Sequence, residues 1–295
     1  SYENKNFRFW DSQGMETGKK EKSYRDFIKG FIKKTRESKK LEENIHVLWY
    51  TIGGPGARVT DFDKRLIKKL YKHTLVLITK ADIIKAKQLK AIVSELTSSG
   101  VKRQNIICCS SEDKTGLGKL FRRTCQVMPD AYDFARKEFE KWLKSEEKKL
   151  RKIAEEKSDS YIFWGTGRAA AIAISPIPVA DVVPLIVNEG YMITMIGSCY
   201  GVAVTDELIK KFGALLGAST AGKIVSSFFP GIKIVVAAGI TFGVGCAAQI
   251  WFESGMPNDA EKLRNAYKKG KKKAKNVDWK KEAEKYNVDD IEVNA

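Results

Sequence analysis

Apolar residues fall along this chain in two regimes. In the first 130 residues, short apolar runs of strand length alternate with stretches of helical period. Phe7-Arg8-Phe9-Trp10, residues 45–52, Leu75-Val76-Leu77-Ile78 and residues 105–109 read as buried strands, because they are continuous, aromatic or β-branched and end in turn residues. Residues 24–41 place Tyr24, Phe27, Ile28, Phe31 and Ile32 on one helical face. Thr60 and Asp63 form a capping-box pattern that opens a helix carrying Leu66, Ile67 and Leu70, and residues 117–127 form the last helix before Pro129. Strands alternating with helices predict an α/β domain with a mostly parallel sheet.

The second regime is helical. Residues 131–156 are highly charged, with a sparse apolar stripe of Phe134, Trp142, Leu143, Leu150 and Ile153, and predict a connecting helix. From Trp164 to Phe252 charges thin out and Gly, Ala, Ile and Val dominate. Three blocks follow, 169–204, 212–229 and 232–251. The first should be broken by Pro176, Pro178 and Pro184, and the last should be one helix whose Gly/Ala face packs against residues 217–222. Gly217-Ala218-Ser219-Thr220-Ala221-Gly222-Lys223 has phosphate-loop spacing, but Ile224 stands where a hydroxyl would hold Mg²⁺, so a helix-packing face is the better reading. The organisation expected is a partial α/β domain at 1–128, a connecting helix at 129–160, an apolar all-α, Gly/Ala-rich domain at 161–255 and a basic tail at 256–295 that is solvated by default.

Composition narrows the partners. A net charge of +17 in 295 residues invites an anionic membrane face or RNA, although most such lysines are ordinary solvated surface. Five cysteines without a Cys-x-x-Cys pair fit a reducing compartment, and two histidines make a His-based metal site a poor reading. No secretory signal is read at Ser1, so the expected location is cytoplasmic, peripheral to or integral in the inner face of the membrane.

Three strand ends carry candidate chemistry. Phe7-Arg8-Phe9-Trp10 leads to Asp11-Ser12-Gln13-Gly14, Ile78 leads to Thr79-Lys80-Ala81-Asp82, and Cys109 leads to Ser110-Ser111. In this order they resemble the third, fourth and fifth motifs of Era-like P-loop GTPases of the translation-factor-related class, with Thr79 replacing the usual Asn. The resemblance covers about the first 130 residues. It implies GTP or GDP and Mg²⁺ as cofactors. Asp11 would hold Mg²⁺ through water and Gly14 would bring a backbone N–H to a phosphate. Thr79, Lys80, Asp82, Ser110 and Ser111 would bind guanine. The Asp82 carboxylate would accept from the base N1 and N2 groups, which adenine does not offer together, and the Lys80 stem would cover the base face.

The departures matter as much. Met15 stands where many GTPases have the Gln that orients water, which implies slow intrinsic hydrolysis or help from a partner. Nothing before Phe7 reads as a phosphate loop, so the chain is expected to be N-terminally truncated, with negligible hydrolysis and at best weak GTP binding by itself. Pro176-x-Pro178-x-x-Asp181, Tyr200-Gly201 and Phe229-Pro230-Gly231-Ile232-Lys233 resemble a helical domain of unknown function often found C-terminal to bacterial Era-like GTPases. The resemblance leaves open whether this block dips into a membrane or is a soluble bundle. The leading function is guanine-nucleotide binding coupled to a helical effector domain, for which the protein effector is unknown. The competing ones are a membrane-associated scaffold with a degenerate G domain and a GTPase-like RNA-binding assembly factor.

Overall fold

The computed structural model describes residues 2–3, 7–12, 21–37, 43–56, 58–70, 73–174, 182–217 and 234–286. Three parallel strands, β3 (Leu48–Gly53), β4 (Thr74–Thr79) and β5 (Ile106–Cys108), lie side by side in chain order. Leu48 is opposite Thr74 and Val76 is opposite Ile106. β4 is central and buried on both faces, as its unbroken apolar run requires. Val76 and Ile78 face α2 (Asp61–Leu70) and α3 (Ala86–Ser98) through Ile67, Leu89, Ile92 and Val93. Leu75, Leu77 and Ile107 face α4 (Leu117–Val127) through Leu120 and Phe121. The period-2 side-chain alternation of β4 thus serves two helical layers. The Thr60–Asp63 capping box is present: the Thr60 amide donates to Asp63 Oδ2 at 2.7 Å and the Asp63 amide to Thr60 Oγ1 at 3.2 Å.

The Phe7–Trp10 run departs from expectation. It is not a buried strand of the parallel sheet. Residues β1 (Tyr2–Glu3) and β2 (Arg8–Phe9) form a two-residue antiparallel ribbon of their own. Its aromatics are recruited by side-chain packing instead of backbone pairing: Phe7 meets Trp142 at 5.0 Å and Phe139 at 5.7 Å, and Phe9 meets Trp49 at 5.0 Å. Trp10 is 46% exposed. Following it, α1 (Glu21–Arg36) forms the expected amphipathic helix.

The connecting helix expected at 129–160 does not stop at 160. α5 (Asp133–Ile174) is one helix of 42 residues, about 60 Å long, which begins against α4 and ends in the helical half. Phe139 and Leu143 pack near Phe121, while Ile162, Ala170 and Ala171 lie in the helical cores. α6 (Val182–Cys199) returns along it, and Pro184 falls in its first turn, where no intrahelical N–H is needed, so it does not break the helix. Pro176, Pro178, Asp181, Pro230 and Gly231 lie outside the described residues. α7 (Asp206–Leu216) is capped by Thr205, whose Oγ1 accepts from the Leu208 amide.

α8 (Ile234–Glu253) is the centre of the helical half. It is long and apolar enough to cross a membrane, yet 61% of its apolar window is buried inside the protein. Its small residues pack closely. Gly245 abuts Ile162 of α5, and Gly243 abuts Tyr267 of α9 (Ala260–Lys273). Of the 217–222 stretch, 218–222 lies outside the described residues. The 256–295 tail is also not a solvated appendage as far as it is described. Leu263 packs in the core with Trp251 and Phe252, and Trp279 of α10 (Trp279–Ala283) is buried against Ala170, Ala171 and Ala238. The charged residues of the tail hid this, because the inward-facing residues, such as Leu263, Gly270, Ala274, Trp279 and Ala283, are scattered among lysines.

The two halves are joined at the sheet edge. Val202 forms an antiparallel bridge with Ile107, and the Cys108 amide donates to Gly201 carbonyl at 3.3 Å. The unpaired edge of β5 is therefore covered by the helical half. Arg103 adds a guanidinium bond to Thr205 Oγ1 at 2.7 Å.

Candidate nucleotide-binding site

The C-terminal ends of parallel strands are where open α/β sheets bind ligands, and β4 and β5 each end there in a tight loop. After β4, Lys80 adopts φ 56°, a left-handed conformation uncommon for a side-chain-bearing residue. This turn lets the Ala81 amide reach the Cys109 carbonyl at 3.2 Å, while the Gly54 amide takes the Thr79 carbonyl at 2.9 Å. The loop after β4 is thus tied to the ends of both neighbouring strands. Lys80 is exposed and Asp82 half-buried. The Thr79 hydroxyl donates to the Ile52 carbonyl at 3.3 Å, so it holds β3 against β4.

After β5 the chain makes a compact turn around Ser110. Its Oγ accepts from the amides of Glu112 at 3.1 Å and Asp113 at 3.4 Å, and its side chain is buried. Asp113 Oδ1 in turn accepts from the Thr115 amide at 3.1 Å and hydroxyl at 2.7 Å. Gly116 closes the turn at φ 74°, where an added Cβ would stand 2.0 Å from the Cys108 carbonyl oxygen. Ser111 is left exposed at the tip. The loops carrying Lys80-Ala81-Asp82 and Ser110-Ser111 are therefore neighbours. Ser110 is committed to building its own loop and the Ser111 carbonyl accepts from Lys114 Nζ, which leaves the Ser111 amide as the backbone group on that side that faces a ligand.

The sequence reading missed a third wall. α5 brings Lys157 and Tyr161, one turn apart, against both loops. Lys157 Nζ lies 3.1 Å from Asp113 Oδ2 and 5.7 Å from the Tyr161 ring centre, and the Tyr161 hydroxyl donates to the Asp82 carbonyl at 3.5 Å. Burial alone would raise the Asp113 carboxyl, but the bonds from Thr115 and Lys157 outweigh it and hold it below its ordinary value. Burial, with nearby acidic groups, pushes the Tyr161 phenol up, so it stays a neutral donor. No signal in the sequence places Tyr161 on a loop 79 residues upstream; the i, i+4 spacing of Lys157 and Tyr161 only says that they share a face.

Asp11 makes no hydrogen bond or ion pair to these loops among the described residues. Asp11 is exposed beyond the β1–β2 ribbon, next to Ser12, whose Oγ is 3.4 Å from the Tyr24 hydroxyl. Gly14, Gln13 and Met15 lie outside the described residues. Among the described residues no group of three or more potential metal ligands occurs. A groove of about 560 Å³ lies elsewhere, between α8 and α9. Its lining of Gln249, Asp259, Lys262, Asn265 and Lys269 mixes charges without a convergent catalytic set.

Comparison with protein-family models, with curated proteins and with solved structures finds no match for this chain.

Proposed function

We propose that the chain recognises a guanine nucleotide through the loops at the ends of β4 and β5, and that the helical half responds to its occupancy. One observation carries the reading: Asp82 and the Ser111 backbone stand on adjacent loops that are cross-bonded through Ala81 and Cys109 at the C-terminal edge of a parallel sheet. The half-buried Asp82 carboxylate supplies the two acceptors that suit the N1–H and N2–H of guanine. The exposed Lys80 stem supplies a cover for the base face. The proposal concerns base recognition. Hydrolysis, an Era-like relationship and Mg²⁺ binding remain expectations of the resemblance alone.

A second reading is favoured by the same wall. Tyr161 and Lys157 already engage Asp82 and Asp113, so the loops also serve as a docking platform for α5 in a scaffold that binds no nucleotide. Competition binding separates the two. With a fluorescent guanine nucleotide at millimolar competitor, GDP should displace at least ten times better than ADP, and Asp82→Ala should remove that preference. Equal displacement by ADP and GDP, or none by either, supports the scaffold.

A further inference from the structure

We propose that the end of the helical half farthest from the sheet docks on an anionic lipid surface. The helix contacts fix which ends converge. Ile162 meets Gly245, and Ala170 and Ala171 share a cluster with Ala238, so α5 and α8 run antiparallel and Ile174 lies level with Val235. Glu189 meets Thr241 and Gly197 meets Phe252, so α6 runs parallel to α8 and begins at the same end. There Ile174, Ile186, Val235 and Val236 are 47%, 48%, 59% and 41% exposed. Large aliphatic side chains gathered at one end of a bundle otherwise packed on itself mark an interaction surface.

Charge selects the partner. α9 runs antiparallel to α8 and arrives at this end with Lys271 against Gly239. Between residues 268 and 281 there are eight exposed lysines and one acid, Asp278. An apolar tip flanked by lysines matches the acyl boundary and headgroups of an anionic bilayer. A helix N-terminus at the interface also leaves α8 itself in the protein core, consistent with its burial.

The test is flotation of the full chain with vesicles of phosphatidylcholine alone or with 30% phosphatidylglycerol, compared at low and high salt. Binding should be at least tenfold tighter with phosphatidylglycerol and should fall with salt. The triple change Lys271→Glu, Lys272→Glu, Lys273→Glu should reduce it tenfold or more. Val235→Asp with Val236→Asp should abolish it while circular dichroism is unchanged, because both residues are exposed and acids suit a helix N-terminus. Lys148→Glu with Lys149→Glu, at the sheet end of α5, should leave binding as in the parent. Equal binding to both vesicle types, or full binding by the valine variant, overturns the proposal. So does a valine variant that turns a dimer into a monomer while still floating, which assigns the patch to a second copy. Retention of polyuridylate without any flotation assigns the lysines to RNA and overturns it.

Discussion

Lys80 sits at φ 56°, a conformation that costs a residue with a Cβ about 1–2 kcal/mol. Glycine would adopt it freely. Lys80→Gly is therefore expected to keep or raise stability, by at most about 1 kcal/mol after its extra unfolded-state entropy, while weakening guanine binding through loss of the side chain. Urea denaturation beside nucleotide competition checks both halves; a clear loss of stability would show that Lys80 is held by contacts and not strained. Glu189 gives a second residue-level expectation. It is fully buried beside Thr241, whose hydroxyl lies 3.3 Å from Oε1, and burial pushes its carboxyl from 4.5 up to about 7. Tyr267 is the neighbouring titratable group, and burial raises it as well. Between these two pH values the folded chain holds a proton that the unfolded chain has released. This stabilisation is complete below 4.5 and is lost as pH rises through about 7. Glu189→Gln should melt higher than the parent at pH 8 and show a smaller loss from pH 5 to pH 8, worth on the order of 1–3 kcal/mol. Parallel pH–stability curves for the two proteins would contradict the burial.

At the scale of elements, the strongly periodic pieces were legible. The capping box, β4 and α4 follow from residues 60–63, 75–78 and 117–127, where local pattern and tertiary packing agree. Phe7–Trp10 was not, because an apolar run does not say whether its partner is a strand or the side of a distant helix. The tail was misread for a related reason: Trp279 and Leu263 are isolated in a lysine-rich context, and only the bundle shows the surface they bury against. The site was legible as two loops, while Lys157 and Tyr161 depended on where α5 lands. The Gly243 packing gives the element-level test. A Cβ there meets Tyr267 ring carbons at 2.8 Å and its carbonyl oxygen at 2.9 Å, and the backbone cannot yield as a flexible side chain would. Gly243→Ala should cost about 1–3 kcal/mol. Gly243→Asp should cost more, since it adds an unpaired buried charge. Both should separate α9 from α8, which thermal melting and limited proteolysis after residue 255 would register. Unchanged melting would refute the contact.

At the scale of the molecule, α5 is the physical link between the halves. One end of its helical-half segment holds the loops after β4 and β5 through Tyr161 and Lys157, and the other, 13 residues and about 20 Å away, ends at Ile174. Tyr161→Phe with Lys157→Ala should remove about 1–2 kcal/mol of stability and uncouple the halves, leaving base preference in place. The most direct measurement is amide hydrogen exchange of the full chain with millimolar GDP, ADP or no nucleotide. The account predicts that GDP alone slows exchange at residues 80–83 and 110–116 and at the α5 turn around Tyr161, with the α5 change absent in the double variant. Identical exchange in all three conditions, or equal protection by ADP, would contradict a guanine site at the ends of β4 and β5.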